Sequence, residues 1–381
     1  MPTSSTSART SVDGVGVEPP RRGGEVCRAG ARGRAAQDHR FVDGGGDGAV
    51  RVLHARPRYV VNGLSVPRAD HRGKEGCVRG GAGEEERKGV VHAATLGRES
   101  EKVKFKLDNV VGRLAPTPSG ALHLGNALAF GAAWLSARAA GGRLLLRMED
   151  LDRGRSRPDV EREQRADLRW LGLDWDAETP RQSGRRYTLD GIDAYRCDCP
   201  RAARREGPCA CREASRVAGA WRLRTPRREV SWIDRARGVV RAVPTEDPVL
   251  VRADGEPGYP LAVVIDDARD GVTEVVRGAD LVDATASQVI LHGMLGLSVP
   301  TYLHVPLVLG PDGRKLGKSH GSTGIAALRH AGWRPEDVWA TLLPQLGIDG
   351  AVRLDEAVVG FDATGIPPGP VRVDADGRVT G

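Results

Sequence analysis

Aromatic side chains are scarce in this chain: Trp, Tyr and Phe together make up 4% of 381 residues, and only three Met are present. Apolar residues still reach 40%, so a core has to be built from Leu, Val, Ile and Ala, and the length leaves room for two or three domains. Long apolar runs are missing as well. The most apolar helical stretch, Ala127 to Ala137, falls short of the roughly 18 residues a bilayer span needs, which excludes a helical membrane protein. Met1 to Pro20 lacks the basic start and apolar block of a secretory signal, so a cytoplasmic location is expected.

Cysteine is sparse except in one place. Of six, Cys197, Cys199, Cys209 and Cys211 fall within 15 residues, whereas Cys27 and Cys77 stand alone. In a reducing compartment such a cluster points to a metal site before a disulfide framework. Charge is also unevenly spread. The first 105 residues hold 19 Lys+Arg against 13 acids, while the remainder holds 38 against 37. That basic segment takes 18 of the 50 glycines and shows no sustained period of 3.6 or 2, so residues 1–105 are expected to be a disordered extension without a core. Two readings fit the extension: an Arg/Gly arm adding non-specific affinity for RNA, or upstream sequence with initiation at Val103 or later, which is the favoured expectation.

Order begins near Asn109. Asn109–Ala115 reads as a short buried strand closed by Pro116-Thr117-Pro118-Ser119-Gly120, and a helix is expected from His123 to Ala140 before Gly141-Gly142. A strand at Arg143–Met148 follows, then the acidic turn Glu149-Asp150-Leu151-Asp152, then a helix from Pro158 to Leu171. This alternation predicts an α/β fold with a parallel sheet. Residues 187–247 break the rhythm and read as an insertion holding the cysteines. Alternation resumes with Tyr259–Asp267, expected as a buried strand running into acids, a helix around Ala284–Leu295 and a strand at Tyr302–Leu309. Helices are expected at Ile325–His330 and Pro335–Leu346, and the last dozen residues as a frayed tail.

Small residues and backbone N–H groups at a helix start suit an anion, and His123 and Asn126 add side-chain donors there. A single such turn is commonly only a tight strand-to-helix connection. It has company, however: Arg147-Met148-Glu149-Asp150-Leu151-Asp152, Tyr259 through Asp267, Thr273 through Leu281, and Lys315-Leu316-Gly317-Lys318-Ser319. In this order the motifs resemble the catalytic core of class I glutamyl-tRNA synthetases, with His123–Asn126 as the "HIGH" element and Lys315–Ser319 as the "KMSKS" element, over roughly Val110 to Phe361. Only 63 residues follow Lys318, and the large helical anticodon-binding region of the discriminating enzymes is expected to be missing. With the cysteine pattern and Leu261–Asp267, this is similar to the short branch, the glutamyl-queuosine tRNA(Asp) synthetases.

The resemblance implies a Rossmann-like catalytic domain in two parts, 106–186 and 248–313, split by a zinc-containing acceptor-binding insertion at 187–247, and followed by a lysine loop with C-terminal helices at 314–362 and a tail at 363–381. It implies ATP-dependent activation of L-glutamate and its transfer to queuosine in the anticodon of tRNA(Asp); nothing in the sequence suggests an obligate oligomer, and a monomer is expected. Glutamate would be held by Arg113, Leu114, Ala115, Pro116, Thr117, Glu149, Tyr259 and Arg277. Two guanidinium groups and one acid suit a zwitterion with an extra carboxylate, although an arginine taken alone is more often a solvated charge or a structural ion pair. ATP would meet His123, Gly125, Asn126 and Lys318, with His123 and Lys318 as the catalytic pair and Lys315 in a lesser role. Mg²⁺ is expected with ATP, riding mainly on the phosphates.

Asn126 departs from the last histidine of "HIGH", and Gly317 from the usual serine, which puts rate in question more than reaction type. The family's zinc ligands are three cysteines and a tyrosine. That tyrosine position falls on Gly207 here, so Cys209 is the candidate replacement beside Cys197, Cys199 and Cys211, with four free thiols as the competing reading. Two rivals to the enzyme reading are a truncated glutamyl-tRNA synthetase charging a 3′ end and an inactive zinc-containing tRNA-binding module.

Overall fold

Three short parallel strands open the sheet. In the computed structural model, which describes residues 17–18, 109–199, 209–214, 216–317 and 324–380, β1 (Val111–Leu114) pairs in register with β2 (Arg143–Leu146), and β3 (Ala177–Glu178) adds to the far side of β2. Each crossover is one of the expected helices: α1 (Leu124–Ala139) joins β1 to β2, and α2 (Pro158–Trp170), with Pro158 in its first turn, follows β2.

Nearly every face of α1 is buried, and its small residues explain why it fits. Gly131 lies against the buried ring of Trp339, whose Nε1 donates to the Leu171 carbonyl at 2.8 Å. A Cβ at Gly131 would approach that ring to 2.6 Å. Gly131→Ala therefore gains about 0.5–1 kcal/mol of helix propensity but incurs an overpacking cost of about 1–3 kcal/mol. A net loss is expected, read as a lower urea midpoint, with Trp339 fluorescence shifted in the native state.

The cysteine-bearing segment forms β4 (Ala194–Cys197) and β5 (Ala220–Leu223), antiparallel to each other, with β8 (Val249–Val251) on the other edge of β5. Asp247 is its polar hub. Its carboxylate accepts Tyr195 Oη at 2.9 Å, Arg212 Nη1 at 2.7 Å, Arg227 Nη2 at 3.0 Å and the Thr225 N–H at 3.1 Å. Between β5 and β8 runs the hairpin β6 (Val230–Asp234) and β7 (Gly238–Ala242). Although it falls inside the 187–247 span, it joins the second part of the parallel sheet, where Tyr302 pairs with Asp234.

The clearest correction concerns Tyr259–Asp267, expected as a strand. It is the helix α3 (Tyr259–Arg269), with Pro260 in its first turn and Leu261 to Ile265 all buried. A short continuous apolar run cannot be told from a buried helix by periodicity. The following acids point to partners that no strand would serve together: Asp266 meets Arg185 at 3.1 Å and Asp267 meets Arg147 at 2.7 Å.

The sheet continues with β9 (Glu274–Gly278), α4 (Val282–Met294), β10 (Thr301–Val305) and β11 (Val308–Leu309). β9 and β10 pair in parallel, and β10 pairs with β6, so the order is β9-β10-β6-β7. The two parts meet where the Thr273 N–H donates to the Val111 carbonyl at 2.9 Å, placing β9 beside β1. From that line successive parallel strands run outward both ways, β1 to β2 and β3 on one side and β9 to β10 on the other, which makes β1/β9 a topological switch point.

α5 (Ile325–His330) and α6 (Pro335–Leu342) follow, α6 continuing as a 3₁₀ turn over Leu343–Leu346 at Pro344. The end of the chain does not fray as expected. β12 (Val371–Arg372) pairs in parallel with β11, and Val371 and Val373 are buried, a long-range pairing invisible to local pattern. Within the extension expected to lack order, Val17–Glu18 pairs with Tyr187–Thr188; Cys27 and Cys77 lie outside the described residues. Among the described residues no helix is long and apolar enough to cross a membrane.

Candidate active site

At the carboxyl ends of β1 and β2 two buried arginines share one carboxylate of α3. Arg113 is 6% exposed; its Nε donates to Asp267 Oδ1 at 3.3 Å and its Nη1 to the Val276 carbonyl at 3.0 Å. Arg147, fully buried at the end of β2, reaches the same Asp267 oxygen at 2.7 Å, Asp270 at 3.2 Å and Glu149 at 3.3 Å. Burial alone would raise the Asp267 carboxyl, but Arg147 and Arg113 outweigh it and hold it below the ordinary carboxylate range. Asp267 is thus a fixed anion spacing two guanidinium groups. Glu149 differs: burial pushes its carboxyl up, and Arg147 and Arg113 only partly offset this. A nearby cation would relieve that cost. Tyr259, 38% exposed at the first turn of α3, sits within the field of Arg277, Glu149, Arg113 and Asp267.

The expected glutamate loop lies across this site. Leu114 is wholly buried and Pro116 buried, so both can offer only backbone; Ala115 is half-buried and Thr117 exposed. The loop is tied to the next one, the Arg147 N–H donating to the Leu114 carbonyl at 2.9 Å and the Glu149 N–H to that of Pro116 at 3.0 Å. Gln164 of α2 braces it from below, donating to the Thr117 and Gly120 carbonyls at 2.9 and 2.7 Å.

His123 is the N-cap of α1, and Asn126 in the first turn accepts its backbone N–H at 3.1 Å. Asn126 thereby closes the helix start, a structural use of the amide that the motif did not disclose. A Cβ at Gly125 would come within 3.1 Å of the His123 ring, so the glycine leaves that ring its place. Gly324 bridges to His123, while the Leu316 N–H donates to the Val308 carbonyl at 2.9 Å, so both flanks of the lysine segment are tied to this region. Lys318 itself lies outside the described residues. Lys315 pairs with Asp280, and among the described residues the nearest contact for a Cβ at Gly317 is the Lys315 carbonyl at 4.0 Å.

Arg277 of β9 is the most constrained side chain here. Its Nε donates to His304 Nε2 at 3.1 Å, its Nη2 to Thr285 Oγ1 at 2.7 Å, and its guanidinium lies 5.1 Å from the Tyr302 ring centroid. Sequence reading placed Arg277 but missed Thr285 and His304, which hold it, Asp234 behind His304, and Arg147 and Asp267 beside Arg113. Arg147 and Asp267 were visible inside the quoted motifs; Asp234 and His304 join through contacts 70 and 27 residues apart in the chain.

The four thiols of Cys197, Cys199, Cys209 and Cys211 gather at one end of β4, all Sγ atoms within 4.8 Å of one another. Three separations are 3.4, 3.4 and 3.7 Å. The edge of a tetrahedron with ~2.3 Å metal–sulfur bonds is about 3.8 Å, so the group is of a size to hold one metal ion. Cys197, Cys209 and Cys211 are buried, which suits a closed structural site.

The site thus joins a parallel sheet, a helix start suited to an anion and buried arginines near the switch point. The family model "tRNA synthetases class I (E and Q), catalytic domain" matches residues 109–203 and 210–350, and the chain belongs to that family of ligases. Its relatives narrow the branch. The chain is 42% identical over 310 residues to the glutamyl-Q tRNA(Asp) synthetase of Symbiobacterium thermophilum, covering 70% of this chain and 96% of that protein. It is 43% identical over 286 residues to the protein of that name from Pseudomonas aeruginosa, covering 68% and 95%. Among solved structures it resembles a glutamate tRNA ligase from Elizabethkingia meningosepticum crystallised with its amino acid, at TM-score 0.59 and 25% identity over 71% of this chain and 68% of that one.

Proposed function

We propose that this chain activates glutamate with ATP and transfers it to queuosine in the anticodon of tRNA(Asp). The observation that carries the reading is the convergence of Arg113, Arg277 and Glu149 at the β1/β9 switch point beside the start of α1; the relatives' shared name supports the acceptor. Arg113 Nη2 and Arg277 Nη1 have no hydrogen bond among the described residues. These are the ends left to grip substrate carboxylates, while Glu149 receives the ammonium. The α-carboxylate then attacks the α-phosphorus of ATP, pyrophosphate leaves, and in the second step AMP leaves as queuosine takes the glutamyl group. Because both reactants are anionic, most of the protein's contribution is positioning and charge compensation. The His123 end of α1 meets the phosphates and the charge of Lys318 offsets that of the leaving pyrophosphate, with Mg²⁺ carried on ATP. Cys197, Cys199, Cys209 and Cys211 hold one structural Zn²⁺, which stiffens the acceptor-binding insertion.

Glutamate-dependent ATP–pyrophosphate exchange by the purified protein tests activation; no exchange would leave only the tRNA-binding module. The pH dependence follows from Glu149. Its carboxyl is raised, so the ionised form that pairs with an ammonium is lost as pH falls through a value above the usual glutamate range. The KM for glutamate should rise on the acid side of the profile from that point. In Glu149→Gln it should be high at every pH, with no acid limb.

A further inference from the structure

Asp234 and His304 stand directly behind Arg277. Asp234 ends β6 and is fully buried. One of its oxygens accepts the backbone N–H groups of Ala236 and Arg237 at 3.0 and 3.1 Å. The other meets His304 Nδ1 at 2.6 Å and the His304 N–H at 3.3 Å. The turn after β6 thus fixes the carboxylate independently of the histidine. An ionised carboxylate only accepts, so the ring proton sits on Nδ1, and Nε2 presents a lone pair to Arg277 Nε–H at 3.1 Å. The His304 ring stacks on Tyr302, centroids 5.7 Å apart and planes within 7°, and Tyr302 in turn underlies the guanidinium. Thr285 Oγ1, itself donating to the Leu281 carbonyl at 2.9 Å, fixes Nη2. Every direction of the guanidinium but that of Nη1 is therefore set by the protein.

We infer that Asp234 and His304 form a positioning pair for the ligase reaction: Asp234 selects the Nδ1–H tautomer of His304, whose Nε2 aims Arg277 so that Nη1 meets a carboxylate of the substrate amino acid. The inference rests on the reading of Arg277 as a carboxylate-binding group. Its physical content is specific. Asn in place of Asp234 is the same size, but its amide donates to Nδ1, drives the ring proton to Nε2 and sets one N–H against another at Arg277. A wrong tautomer behind an intact side chain is an effective way to lose activity, because a misplacement of about 1 Å costs up to ~100-fold.

The test is pyrophosphate exchange by the full chain, titrating glutamate and ATP separately, for the wild type, Asp234→Asn, His304→Phe, His304→Gln and Arg277→Lys. Asp234→Asn and His304→Phe should raise the KM for glutamate about tenfold or more while leaving that for ATP within about twofold. His304→Gln, which keeps an acceptor near the Nε2 position, should recover most of the loss. If the first two leave the glutamate KM unchanged while Arg277→Lys raises it, the pair has no positioning role and the reading of Arg277 stands. If all four leave it unchanged, the reading of Arg277 falls and the inference with it. If His304→Gln is as impaired as His304→Phe, or both KM values rise together, the pair is merely structural and the inference is overturned. Should the variants fail to fold, nitrogen NMR of the histidine side chains in the wild-type protein decides: the proton on Nδ1 is expected, and a proton on Nε2 overturns the inference.

Discussion

Arg113→Ala is expected to lower kcat/KM for glutamate in pyrophosphate exchange by roughly 30-fold or more, most of it in the KM for glutamate. Arg113 is held by Asp267 at 3.3 Å and by the Val276 carbonyl at 3.0 Å, so its free end needs no rearrangement to meet a ligand. Truncating one partner of a buried, hydrogen-bonded charge pair costs about 2–5 kcal/mol, and each ~1.4 kcal/mol is tenfold. The substitution should not unfold the site, because Asp267 keeps Arg147 at 2.7 Å. Arg113→Lys restores the charge but not the fork, so it should recover only part of the loss. A thermal melt close to wild type, together with glutamate kinetics within about threefold of it, would remove Arg113 from the substrate site.

The second large effect concerns the four thiols. Mass spectrometry of the native protein should find one zinc per chain, and Cys209→Ser should lose it. Among the described residues the cluster consists of buried Tyr195, Cys197, Cys209 and Cys211 with half-buried Cys199 packed against them. A structural zinc supplies apparent binding energy of about 10–16 kcal/mol in zinc-finger peptides, comparable with the whole stability of an ordinary domain at about 5–15 kcal/mol. Chelation should therefore melt the β4/β5 segment. The groups placed around the glutamate site come from β1, the β2 end, α3 and β9, so exchange should persist within a few-fold while transfer to tRNA falls by about tenfold or more. Unchanged zinc content in Cys209→Ser would dismiss the fourth ligand, and equal loss of exchange and transfer would dismiss the separation of roles.

Which features were legible in the sequence follows from the range of the forces that set them. α1 and α2 could be read because their ends are local: the Gly141-Gly142 stop and Pro158 in a first turn. The thiol cluster was legible because its ligands sit close in the chain. By contrast α3 was mistaken for a strand, since Leu261 to Ile265 is buried on all sides and carries no periodic signal. The pairing of β12 with β11 links Val371 to Val308, and no local pattern announces it. In the site itself, Arg113, Glu149, Tyr259 and Arg277 stood in recognisable motifs. The Asp234–His304 pair did not, because a carboxylate in a hairpin and a histidine in an apolar strand acquire meaning only when 70 residues of separation are closed.

The acceptor is the central claim, and acid gel analysis of charged tRNA(Asp), with and without queuosine, addresses it most directly. Glutamate should appear on the queuosine-containing tRNA alone and survive removal of the 3′ end. Charging that ignores the modified base, or that disappears with the 3′ end, would contradict the account and assign the chain to 3′-end aminoacylation.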